Sequence, residues 1–470
     1  MISPRARTQE ERETDVLVIG GGLAGHCAAI AAAERGARVV LLEKQPSIGG
    51  STVLSGGFFA FADTPVQRSL GIADTAELFY EDLRKVGGCD NDERLLRAFV
   101  DGQRELFDWL VELGVAFNAV ELSAGQTVPR SHQTNAARVI ELLAAAAAGS
   151  GRVTSWSQAA VQRLLRDGGT GPVTGVRATT PTGVATVEAR GGVVLATGGF
   201  SRSETLLRMF VPGQARALRM GGAGNTGDGL RMAWQLGAGF RDMGYVKGTF
   251  GTHPLTGPER HEILLVFYLG AVIVNRLGFR FVDESASYKI LGDACLEQPG
   301  AIAYQIFDQQ VMDASRSGVP LFDLAPALER GLLFRAQTLQ GLADLCGIDG
   351  ENLVDTLRTY NSGVDAGRDP VFGRDGLCNH AGALVRLDCP PFYAYPSTSV
   401  VLATYCGLTV TPKTEVLDVF GDKIEGLFAA GEIVGGFHGS AYMTGTSLGK
   451  AALFGRVAGF NAARRAGTAH

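Results

Sequence analysis

The run Asp15-Val-Leu-Val-Ile-Gly20-Gly-Gly22-Leu-Ala-Gly25 constrains this chain more than any other segment. Four consecutive apolar residues, Val16 to Ile19, read as a buried parallel strand. Gly20, Gly22 and Gly25 follow at once at G-x-G-x-x-G spacing. The first permits a tight turn, the second admits a pyrophosphate against the backbone, and the third lets helix pack on strand. The Ala-rich segment His26 to Arg35 then predicts a helix. Its N-terminal end, with Leu23 and Ala24, would offer free N–H groups and a favourable dipole to phosphates. A second strand, Arg38 to Leu42, runs into Glu43 and Lys44, with the glutamate placed to accept hydrogen bonds from a ribose diol. Strand, glycines, helix, strand and acid in this order predict an α/β nucleotide-binding fold.

Five further small-residue clusters organise the chain. Ile48 to Gly57 is a loop in which Gly50, Ser51, Thr52, Ser55, Gly56 and Gly57 could lie against a flat ring. Val193 to Gly199 is a strand entering a turn at Thr197, Gly198 and Gly199. Gly224 to Leu230 opens a helix, with Asn225 and Asp228 near its start. Gly426 to Glu432 is a strand ending at Gly431 and Glu432, and Gly435 to Gly449 leads into a helix through Ala458, with Ser447 and Leu448 at its start. Ala160 completes the candidate cofactor residues. Nucleotide elements at both ends predict a discontinuous domain, 1–240 and 377–470, with an inserted domain at 241–376. The insert carries two strand-like runs, Ala271 to Asn275 and Arg280 to Asp283.

Composition removes several classes of function. A net charge of −5 without a basic cluster argues against nucleic acid. No apolar run approaches the roughly 20 residues of a membrane span. The charged residues 1–14 do not resemble a secretory signal. Seven scattered cysteines without C-x-x-C fit reduced thiols in cytoplasm, and predict no metal site and no iron–sulfur or haem attachment.

Together these motifs resemble the flavoprotein superfamily of fumarate reductases, succinate dehydrogenases and 3-ketosteroid dehydrogenases over essentially the whole chain. The resemblance implies FAD on a Rossmann-like domain, an inserted α+β capping domain, and a substrate held against the flavin ring. It places Glu43 on the adenosine ribose, Glu432 near the ribityl chain, and the N–H groups of Ser447 and Leu448 at the pyrimidine edge. A helix N-terminus there stabilises negative charge on reduced flavin. No residue from Gly49 to Gly57 is a histidine or cysteine, so the flavin is expected to be non-covalent.

Carried over position by position, the fumarate reductase site is largely dismantled. His253 matches a histidine that binds a substrate carboxylate. The proton-donating arginine becomes Tyr288, and a carboxylate-binding arginine becomes Tyr442. The second substrate histidine falls at Ala403 or Thr404, and the proton-relay positions fall in the apolar run after Glu262. Two tyrosines in these places resemble the 3-ketosteroid dehydrogenases, which oxidise a C–C bond beside a ketone. That implies Tyr288 as base, Tyr442 O–H and Gly445 N–H on the carbonyl oxygen, and the flavin as hydride acceptor. Tyrosine is a weak base at its ordinary pKa near 10, so Tyr288 needs positive surroundings or a second tyrosine, either Tyr268 or Tyr405.

The last motif, Tyr-Met-Thr-Gly, is shorter than its steroid counterpart. Together with His253 and the segment Val128 to His132, which adds Arg130 and His132 as substrate residues, it points to a small ring bearing both ketone and carboxylate. The expected reaction is therefore desaturation of an alicyclic keto acid such as 4-oxocyclohexanecarboxylate. A 3-ketosteroid dehydrogenase and an enoate reductase stand as alternatives. Electrons would leave through oxygen or an external carrier, and the oligomeric state stays open.

Overall fold

The computed structural model describes residues 8–468 except 124, 247, 258–260, 320 and 379–381. Residues 1–7 of the charged N-terminal stretch lie outside the described residues. The chain divides into two compact units. One runs to Val211 and adds Gly221–Val246 and the segment from Ala403; the other holds Pro212–Met220 and Lys247–Leu402.

The first unit is built on a six-stranded sheet. Its order is Glu415–Leu417, Lys423–Ala429, Val193–Leu195, Val16–Ile19, Val39–Leu42 and Val153–Trp156. All neighbours pair in parallel except the first two. Val16–Ile19 and Val39–Leu42 are buried at every position, as strands covered on both faces must be. The expected helix is Leu23–Glu34, buried at every residue but the last, and the chain's final helix, Thr446–Arg465, packs along it. The approach is backbone to backbone: a Cβ on Gly455 would stand 2.5 Å from the Ala24 carbonyl, and one on Gly459 would stand 2.0 Å from that of Ala28. A four-stranded sheet that includes Ala160–Arg166 and a three-stranded sheet of Phe58–Ala60, Ser131–Gln133 and Ala119–Glu121 complete this unit.

The second unit is α+β. Its central strand, Phe392–Val401, is buried along all ten residues and pairs with Ala303–Asp308, Thr249–Thr252, Phe334–Ala336 and Leu218–Arg219. Because this strand sits at the centre of that sheet, the second unit reaches Leu402, later than the boundary read at residue 376. Of the two strand-like runs, the first forms Val272–Val274, while the second makes a single bridge, Val274 to Arg280. Arg280 is drawn instead into a buried ion cluster, 2.7 Å from Glu284 and 2.9 Å from Asp369. No helix among the described residues is long and apolar enough to cross a membrane.

Candidate functional site

The cofactor candidates of the first unit converge through a continuous polar network. Glu43, at the end of its strand, accepts from Gly21 N–H and Gln45 N–H, both at 2.7 Å. Its backbone carbonyl takes Ala159 N–H, which sets Ala160 at the adjoining strand start. Lys44 Nζ reaches Thr226 at 2.6 Å and Asp228 at 2.5 Å. Ser51 Oγ accepts from Gly222 N–H and from Asn225 Nδ2, each at 3.0 Å, and Asn225 Nδ2 also donates to Glu432 at 2.9 Å. Thr52 Oγ1 lies 3.4 Å from Leu23 N–H, Ser55 donates to the Thr52 carbonyl, and the Gly57 carbonyl accepts from Thr134 N–H. A Cβ on Gly198 would meet Asn225, one on Gly199 would meet Glu432, and one on Gly431 would meet Ala24. Burial pushes the Glu432 carboxyl upward, against the bonds it receives from Asn225 and Thr404.

Helix termini separate this region from the rest. Nine described α-helices start on a Thr, Ser, Asp or Asn whose side chain accepts from the first turn. Four do not, and three of those start on glycine inside the small-residue clusters: Gly22, Gly227 and Gly445. At Gly22 the chain offers Thr52 Oγ1, 3.4 Å from Leu23 N–H, and at Gly445 the Tyr442 oxygen takes the first N–H; none of the three has a side-chain cap of its own, which suits an outside acceptor. A Cβ on Gly25 would sit 1.8 Å from the Gly20 carbonyl, so packing forbids one there; a Cβ on Gly22 would meet nothing nearer than 3.9 Å. The space above Gly22 is therefore not filled by the chain. Thr197 Oγ1 is buried without a partner in the same cluster. An open glycine face, uncapped helix ends and an orphaned hydroxyl fit a phosphate-bearing dinucleotide such as FAD.

The candidate catalytic side chains fall in both units. In the first, Gly445 N–H donates to Tyr442 Oη at 3.1 Å, so these two members of the expected pair bond to each other. The Tyr442 ring stacks on Tyr405 (4.6 Å, 13°), and His438 stands edge-on to both. Burial pushes the Tyr442 phenol above its ordinary pKa, which keeps it a protonated donor at neutral pH. In the second unit, Tyr288 begins the helix Tyr288–Glu297 and packs, with Tyr268, on a cluster around Phe267 and Leu291. The charge of Tyr288 adds to burial in raising the Tyr268 phenol. Lys289 Nζ is 5.6 Å from the centre of the Tyr288 ring and bonds Thr249 at 2.8 Å. The sequence reading missed Lys289, although it adjoins Tyr288 and is only 7% exposed.

His253, also in the second unit, follows the strand Thr249–Thr252 and packs against Tyr395 at 5.4 Å. Its Nδ1 accepts from Leu255 N–H at 3.1 Å, which leaves the hydrogen of a neutral ring on Nε2, free to donate. Burial lowers its pKa, with Glu262 opposing.

Arg130 and His132 require correction. Both are completely buried in the first unit. Arg130 pairs with Asp74 at 2.7 Å and with Asp82, and His132 joins Thr64 Oγ1 at 2.8 Å and the Arg130 carbonyl at 2.7 Å. Phe61, Phe107 and Phe117 surround the imidazole. Their donors serve the fold, not a substrate. Both acids come from a segment around the helix Ala76–Val86, more than 40 residues away in sequence, so nothing next to Arg130 signalled the pairing.

The FAD binding domain model matches residues 15–448. The chain is 32% identical over 460 residues to a probable fumarate reductase of Shewanella frigidimarina, covering 96% of this chain and 75% of that protein. Among solved structures it is similar to an open conformation of a flavocytochrome c3 fumarate reductase (30% identity, TM-score 0.84, 97% and 79% covered). It is also similar to a 3-ketosteroid-Δ4-(5α)-dehydrogenase of Rhodococcus jostii RHA1 in complex with 4-androstene-3,17-dione (27% identity, TM-score 0.76, 98% and 99% covered). The chain belongs to the FAD binding domain family and is an FAD-dependent oxidoreductase of the kind that acts on CH–CH groups.

Proposed function

We propose that this protein desaturates the α,β carbon–carbon bond of a cyclic ketone, with a small alicyclic keto acid such as 4-oxocyclohexanecarboxylate as substrate. The observation that supports this most is the meeting of Tyr442 Oη and Gly445 N–H at 3.1 Å. A neutral phenol whose oxygen accepts a backbone N–H is a strengthened O–H donor, which suits an oxygen that gains charge, not a preformed dicarboxylate. Removal of the α proton leaves an enolate; the Tyr442 O–H donates to its oxygen as the charge develops, and the Gly445 N–H joins it when the substrate oxygen displaces its bond to the phenol. Tyr288 takes the proton, at the start of its helix and with Lys289 Nζ 5.6 Å from the centre of its ring. His253 donates through Nε2 to a carboxylate that does not change during the reaction. Bound FAD supplies the two-electron acceptor for the hydride.

Anaerobic mixing with a panel of cyclic ketones tests the reading. 4-Oxocyclohexanecarboxylate should bleach the flavin fastest; a panel in which no ketone bleaches it would refute the proposal, and a 3-ketosteroid in first place would favour the steroid alternative. The fumarate reductase relatives support a second reading, reduction of an enoate. Reoxidation of dithionite-reduced protein by enoates, with no bleaching by ketones, would put it first.

A further inference from the structure

Tyr405 occupies the left-handed backbone region, with φ +56°. A bulky aromatic residue is an outlier there and stays only where its surroundings leave it no alternative. Both sides of Tyr405 are fixed within the first unit. Thr404 gives its N–H and its hydroxyl to Glu432 Oε1 at 2.9 and 3.2 Å. Cys406 is fully buried, and Gly407–Leu408 pairs with Phe240–Arg241. Gly407 lies so close to Ile433 that a Cβ would stand 1.9 Å from its carbonyl oxygen. The chain therefore has no slack through which Tyr405 could relax. What the strained conformation achieves is the parallel stack on Tyr442, 4.6 Å between centroids, with the His438 edge 5.1 Å away.

We infer that Tyr405 is a positioning residue: its strained backbone presents a flat wall that fixes the Tyr442 ring with its hydroxyl at the Gly445 N–H. This rests on the reading of Tyr442 as the donor to the carbonyl oxygen. A phenol turns about two side-chain bonds, and His438 meets Tyr442 only edge-on, at 5.5 Å. Without the parallel wall the bond from Gly445 N–H anchors the oxygen but not the plane of the ring, and small misplacements of a reacting group are expensive in rate. The aromatic face of Tyr405 does this work, not its hydroxyl.

Three variants, Tyr405→Gly, Tyr405→Asn and Tyr405→Phe, are compared with Tyr442→Phe using 4-oxocyclohexanecarboxylate and an artificial dye acceptor, with Tm measured alongside. Glycine and asparagine both tolerate the left-handed backbone without supplying a ring. Each should lower kcat by about ten- to a hundredfold with KM nearly constant, while Tm holds or rises because strain is released. Tyr405→Phe should stay within about threefold of wild type. Unchanged kcat in the glycine and asparagine variants, or a Tm that falls in both, would mean that the stack is ordinary packing. A Tyr405→Phe variant as slow as Tyr405→Gly would assign the role to the hydroxyl and overturn the inference. Full activity in Tyr442→Phe, or no turnover by wild type, defeats the underlying reading and the inference with it. Loss in Tyr442→Phe with none in Tyr405→Gly defeats the positioning role alone.

Discussion

The proposed reaction makes opposite demands on the same side chain at Tyr288 and Tyr442. Tyr442 is buried beside a backbone donor and stays protonated, whereas Tyr288 heads a helix with a lysine near its ring. Tyr288→Phe should lower kcat by about 10² to 10⁴-fold, the usual effect of losing a general base, with substrate binding retained. Stopped-flow reduction of the flavin measures it, and a loss of under threefold contradicts the assignment. His253→Ala should act on KM for the keto acid and leave a neutral ring such as cyclohexanone unaffected, because a carboxylate that does not change in the reaction contributes only uniform binding. Equal losses on both substrates would make His253 structural or catalytic. His132 gives a stability prediction. Burial lowers its pKa from 6.5 to about 4, so the unfolded chain binds the proton first as pH falls. Stability present above pH 6.5 is then lost between 6.5 and about 4, up to about 3 kcal/mol. Denaturant titrations across that range should show a slope that His132→Phe reduces.

At the scale of elements, the pattern of helix starts separates cofactor loops from scaffold. Gly22→Ala meets no atom of the chain within 3.5 Å and should fold normally, yet it fills the open face and should weaken FAD binding by about tenfold or more. Gly25→Ala drives a methyl group into the Gly20 carbonyl and should not accumulate as folded protein. Circular dichroism with flavin titration distinguishes the two; equal FAD affinity in Gly22→Ala and wild type would remove the phosphate from that position. The same contrast shows what was legible in the sequence. Glycine spacing after an apolar run is local information, so the strand, helix and acid of the first βαβ unit were readable. The pairing of Arg130 with Asp74 and Asp82, and the left-handed Tyr405 against Tyr442, depend on residues far apart in the chain. The bridge at Arg280 likewise reads as strand until its buried acids are known.

For the whole molecule, FAD should be a stabilising ligand held without a covalent bond. Acid precipitation should leave all the colour in the supernatant with the mass of FAD, and readdition to apoprotein should raise Tm with flavin concentration, by mass action. Colour kept in the pellet would show a covalent link. One contact described above also bears on how the chain is made. Leu23–Glu34 is synthesised more than 400 residues before Gly455 and Gly459, the backbone it lies against. The opening βαβ unit must wait, apolar on all sides, through the synthesis of some 400 residues before its cover exists. The contacts that bury this helix therefore join residues made far apart in time, and its apolar faces stand open until the later segment arrives.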